Sequence, residues 1–193
     1  MRVIDAAVPL ERDDFMRRLL TELAASLEAV VGLEEASGYI ALAGQRMGDA
    51  LGDLYTRELE LDNLDRHQIA EVLVDLYRRI QGDFYIVSQD EDRIVLGNRT
   101  CPFGAPVLGN EALCTMTSSV FGNLTARYLG YAKVDLTETI ARHHARCMVV
   151  IHLNPGPDAD RAPGNEYYGG FDEFPATLPP CVGGDGADGR ERG

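Results

Sequence analysis

The stretch GDFYIVSQDEDRIVLGN, residues 82–98, is where the periodicity of this chain changes. Its two ends are rich in aromatic and β-branched side chains, and the polar Gln89–Asp92 between them has turn composition. The stretch predicts a hairpin, with strands at 83–88 and 93–97. Everything before it repeats at helical spacing. Residues 65–80 place Ile69, Val72, Leu73, Leu76, Tyr77 and Ile80 on one face. Residues 38–58 predict a helix that carries Gly44, Gly48 and Gly52, four residues apart. Each glycine inside a helix costs on the order of 1 kcal/mol against alanine, so three in one stripe mark a face of very close approach. Tight helix packing, the wall of a ligand pocket or a dimer contact would each use such a face. Residues 10–32 predict a long first helix with an apolar stripe of Met16, Leu19, Leu20, Leu23, Leu27, Val30 and Val31. Acidic residues open it, where the helix dipole favours them, and Gly32 ends it.

Beyond the hairpin, residues 111–129 return to a helical pattern, with Cys114, Val120, Phe121, Leu124 and Tyr128 roughly on one side and Gly130 as the cap. Residues 131–139 and 146–153 read as two strands joined by a short turn at 141–145. The order predicts an α+β domain over residues 1–153, with N-terminal helices packed on a mainly antiparallel sheet. Residues 10–80 are its helical part and 83–153 its hairpin–helix–hairpin part. Residues 154–193 are rich in Pro, Gly and Asp, and are expected to be a partly disordered tail with at most a docked piece near Tyr167–Phe174. Cys181 in that tail is expected to be a free thiol without function.

The chain has 193 residues, with 31 acidic and 18 basic side chains and a net charge of −13. Such a surface repels nucleic acid and anionic lipid, so no direct nucleic acid binding and no membrane association are expected. No apolar run approaches the ~20 residues that span a bilayer, and the N-terminus lacks a secretory pattern. A cytoplasmic location is expected, and the sequons at Asn98 and Asn123 are read as chance. There is no GxGxxG, P-loop, GxSxG or HExxH pattern, so an enzyme is not the expected class.

Two of the four cysteines lie in CPFGAPVLGNEALCTM, residues 101–116, and a third closes TETIARHHARC, residues 137–147. Cys101, Cys114 and Cys147 all fall at the ends of predicted elements. Each can be a small buried hydrophobe. Together they can also ligate a soft metal, whose thiolates converge at about 2.3 Å. His143 or His144 would complete a zinc site, and an iron–sulfur cluster on three cysteines is the other option. His67 and His152 are expected to have no role.

The segments RRIQGDFYIV, RIVLGNRTCPFG and LCTMTSSVFGNLTARYLGYAKVDLTETIA, with the closing Cys147, resemble the methanogen output domain family. More distantly, they are similar to the 4-vinyl reductase-type domain. That domain serves as a small-molecule sensor in phenol-responsive transcription activators and occurs in a protein linked to bacteriochlorophyll synthesis. The resemblance covers about the central three quarters of the chain. It implies a 4-vinyl reductase-like sensor fold, and the related phenol sensors hold structural zinc through one Glu and three Cys. Cys114 and Cys147 match the first and last of those cysteines. Thr139 falls near the middle one, and Cys101 near the Glu. The combined expectation is a cytoplasmic sensory or regulatory domain that binds a small ligand, or a redox or gas signal. Tyr39, Met47, Leu51, Phe121 and Leu124 would line its pocket, beside a three-cysteine site for zinc or an iron–sulfur cluster. It would act through a signalling partner protein or as a homodimer, with the first helix and the glycine stripe as contacts. The alternatives are an iron–sulfur reductase-like enzyme and an adaptor with purely structural zinc.

Overall fold

A computed structural model describes Ala7 and residues 11–170. The helices are α1 (Arg12–Val31), α2 (Leu33–Leu59), α3 (Arg66–Arg79), α4 (Ala112–Leu129) and the short α5 (Pro157–Arg161). The strands are β1 (Phe84–Gln89), β2 (Arg93–Asn98), β3 (Tyr131–Glu138), β4 (Cys147–His152) and β5 (Asn165–Tyr168). The strands form one sheet in the order β1-β2-β4-β3-β5, antiparallel at every pairing. The chain is thus α+β, with helices on an antiparallel sheet as expected.

Local chemistry sets the boundaries. Gly32, at φ 87°, separates α1 from α2, which starts at Leu33, five residues earlier than its apolar pattern suggests. Asp65 caps α3 by accepting the Gln68 N–H at 2.9 Å, and the Gln68 side chain accepts the Asp65 N–H at 2.9 Å. This reciprocal box satisfies two N–H groups that a bare helix start leaves orphaned. The core lies between the sheet's inner face and α3 and α4. Ile94, Leu96, Val134, Val149 and Ile151 meet Leu73, Phe121 and Leu124 there. Tyr77, Phe84 and Phe121 pack edge to face, with centroids 4.6–5.2 Å apart.

The glycine stripe faces α4. A Cβ on Gly44 would stand 2.6 Å from the Ser119 Cβ, one on Gly48 would stand 3.4 Å from the Asn123 Cβ, and one on Gly52 2.8 Å from the Tyr128 hydroxyl. The partner residues advance with the glycines, so α2 and α4 run parallel at close range. The stripe is consumed inside the chain, which corrects the expectation that it also offers an outward contact.

Helix α1 departs from its pattern in the other direction. Only Thr21 and Ala24 of it are buried. Phe15 is 50% exposed, Leu23 57% and Val30 82%, and Met16, Leu19 and Leu20 are exposed as well. The apolar stripe exists, but among the described residues nothing covers it, because α1 rests on its opposite side.

Strand β5 was not legible as a strand. It lies past residue 153 and adds to the sheet beside β3, with Tyr167 opposite Ala132. The Tyr167 ring lies over Gly122, where an added Cβ would meet it at 2.0 Å, and its hydroxyl is 2.9 Å from the Ser118 hydroxyl. The expected docked piece near Tyr167 is thus a strand anchored by one aromatic ring. Phe174 and Cys181 lie outside the described residues.

Candidate thiol centre

Three separate elements carry the three cysteines to one place. Cys101 follows β2 in a tight turn, where the Gly104 N–H bonds to the Cys101 carbonyl at 2.9 Å. Gly104 sits at φ 67°, a conformation that favours glycine. Cys114 is the third residue of α4. Cys147 opens β4 and stands opposite Asn98 of β2. All three are free, half-buried thiols. They line a single cavity of about 30 Å³ with Tyr77, Asn98, Phe103, Leu136, Thr139 and Val149 among its walls. That is room for a water or two, or for one ion, and not for an organic ligand. Helix α1 roofs this end, with Ala24 in one apolar cluster with Val107 and Leu113, and Asn110 donates to the Thr21 carbonyl at 3.2 Å.

Donors surround the sulfurs. The N–H groups of Phe103 and Gly104 act to lower the Cys101 thiol's pKa. Cys147 receives the Ile140 N–H at 3.4 Å, and the Asn98 side chain. Cys114 has the Arg142 guanidinium nearby, itself 2.8 Å from Glu111. These groups favour thiolates, yet burial outweighs them. Burial pushes the Cys101 thiol up to about 11 and the Cys114 thiol up to about 12, with the neighbouring sulfurs adding to both, and it raises Cys147 too. The lowered pKa that a helix start suggests for Cys114 is therefore reversed by its surroundings.

The histidines are elsewhere. His143 is exposed at φ 65°, closing a short turn. The His144 ring is held 3.1 Å from the Thr139 carbonyl, and neither residue lines the cavity. Neither one is brought to the sulfurs as a fourth ligand. The Thr139 hydroxyl is occupied as a cap for the Arg142 N–H at 3.2 Å. Among the described residues, no group of three or more His, Cys, Asp or Glu side chains stands as a metal-ligand set. The three sulfurs line one small cavity, but as placed they do not form a ligand set around it.

A second pocket of about 270 Å³ opens beside the first and shares Cys114, Leu136 and Thr139 with it. Ser37, Ser118, Asp135, Arg142 and Asn165 line it. No sequence signal pointed there, because its walls come from α2, α4, β3 and the segment before β5. The expected pocket is not assembled. Phe121 and Leu124 are wholly buried in the core, Tyr39 and Met47 are exposed, and Leu51 lines an apolar groove between α2 and α3.

The fold and the site define an α+β domain with its cysteines gathered at one end of the sheet. The chain belongs to the family described as methanogen output domain 1, whose model matches residues 19–152. Among curated proteins none matches. Among solved structures, the chain is similar to a trafficking protein particle complex subunit 3 from Naegleria fowleri, covalently bound to palmitic acid. That similarity has a TM-score of 0.59 and 9% identity over 74% of this chain and 95% of that one, and it shows the fold alone. Among the described residues, no helix is long and apolar enough to cross a membrane.

Proposed function

We propose that this chain is a cytoplasmic signalling output domain, acting as a homodimer on a partner protein, in which a soft metal ion at Cys101, Cys114 and Cys147 is coupled to a small ligand. The observation that carries this is the convergence of three thiols, from points up to 46 residues apart, on one ion-sized cavity. A zinc ion is favoured over an iron–sulfur cluster by the cavity's volume of about 30 Å³. Thiolate ligation would supply a fixed tie between the loop after β2, the start of α4 and the start of β4. The ligand is assigned to the adjoining pocket, because Cys114 forms a wall of both spaces. The protein partner is supported by the fold's likeness to a subunit of a trafficking complex. The palmitic acid of that subunit finds no counterpart in the thiol cavity, since ligand pockets run to several hundred Å³.

The test is metal analysis of the chain purified without oxygen, with cobalt(II) titrated into the metal-free protein, beside Cys101→Ser, Cys114→Ser and Cys147→Ser. About one metal per chain, and a cobalt–thiolate absorption that each substitution weakens, is the expected result. Metal-free protein that shows no such absorption, with variants as stable as the parent, would sink the reading.

A further inference from the structure

The apolar stripe on α1 is self-complementary, and we infer that it joins two copies of this chain in an antiparallel helix pair about a two-fold axis; this rests on the homodimer proposed above. Phe15, Leu19 and Leu23 recur every fourth residue along the exposed side, flanked by Met16 and Leu20. Single exposed apolar residues are ordinary on a monomer, but a continuous strip along a helix marks a contact.

The charges choose the occupant. Arg18 and Glu22 stand one turn apart on the same edge of the stripe, both exposed, and among the described residues neither has a hydrogen-bond or ion-pair partner. Suppose two copies of α1 cross antiparallel with the axis between Leu19 and Leu20. Phe15 then lies beside Leu23 of the second copy, the central leucines meet each other, and Arg18 lies beside Glu22 of the second copy. The two-fold repeats each pair, so the exposed groups from Phe15 to Leu23 meet their complements. An unrelated partner would have no reason to match this internal arrangement. The opposite side of α1 roofs the thiol loop, so the dimer would bring the two thiol centres under one joined pair of helices.

Sedimentation velocity of the full chain over a range of concentrations tests this, with Leu19→Glu, Leu23→Glu, Arg18→Glu, Glu22→Arg and the R18E/E22R double variant. The expected wild type is a dimer at micromolar concentration, and Leu19→Glu and Leu23→Glu are monomers with unchanged far-UV circular dichroism. Each single charge reversal weakens the dimer roughly 3–10-fold, and the double variant recovers it. The charge series decides the matter if a leucine variant fails to fold. A dimer indifferent to all five changes overturns the α1 interface while leaving a homodimer through another surface. A wild type that stays monomeric removes both. A monomer that binds phosphatidylglycerol vesicles through Leu19 gives the stripe to a membrane and overturns the pairing.

Discussion

Alanine at Gly44 and alanine at Gly48 are expected to change stability with opposite signs, although both lie inside α2 on the same stripe. Replacing a helical glycine with alanine favours the helix by about 1 kcal/mol through the unfolded chain's lost freedom. At Gly48 the new Cβ would lie 3.4 Å from the Asn123 Cβ and from the Val120 carbonyl, an ordinary contact. The propensity gain should survive there, at about 0.5–1 kcal/mol. At Gly44 it would lie 2.6 Å from the Ser119 Cβ and 3.1 Å from the Met116 carbonyl, both on α4. The helix α4 cannot withdraw, because Phe121 and Leu124 on it are wholly buried in the core. Overpacking of this kind costs about 1–3 kcal/mol, which exceeds the propensity gain and leaves Gly44→Ala destabilised by up to about 2 kcal/mol. For a chain of this length each kcal/mol moves the melting temperature by about 2–4 °C, so the two variants should melt on either side of the wild type. Scanning calorimetry on the three proteins is decisive. A Gly44→Ala protein that melts at or above wild type, or below which Gly48→Ala falls, would refute the account of the stripe as close internal packing.

Site-resolved alkylation of the metal-free chain should show Cys101 and Cys114 reacting slowly at neutral pH and accelerating only above about pH 10, since burial holds their thiols at about 11 and about 12. Unfolded thiols ionise near 9.0, so the folded chain binds more protons than the unfolded one in alkali. That stability is intact below pH 9 and lost as pH rises toward 12, which alkaline melting curves should trace; flat curves across that window would oppose it. Asp65→Ala removes the α3 cap and should cost about 1 kcal/mol in denaturant unfolding, with Asp65→Asn losing much less. Gly122→Ala drives a Cβ into the Tyr167 ring and should free β5, so limited proteolysis after residue 153 is expected to quicken while the rest of the chain persists.

The period change at residue 82 placed the hairpin within a residue at each end, and four of the five α-helices among the described residues followed from their apolar spacing. Those signals are local, and burial against a single sheet face enforces them. β5 escaped because its anchorage depends on one ring over one glycine of α4, a match between residues 45 apart. The α1 stripe was visible, but spacing alone does not say what covers a face. The cysteines stood out through their positions at element ends. The histidines misled for the same reason, since three or four residues from Cys147 in sequence still left them on the far side of a turn. The second pocket was illegible because its walls come from four segments spread between Leu33 and Asn165.

The shared direction of α2 and α4 has an electrical result. Each helix carries roughly half a positive charge at its N-terminal end. Antiparallel neighbours would cancel those charges, whereas this pair sets both at the same end, where Leu33 and Ser37 of α2 face Cys114 and Thr115 of α4 across the polar pocket. Glu34, Glu35 and Glu111 sit there as counterweights. The two backbone dipoles thus add at one end of the domain, and Cys114 is built into that end. Three sulfurs that shed protons to a metal would deposit their negative charge where the backbone best tolerates it, and reversing α4 would set a negative pole against the same cavity.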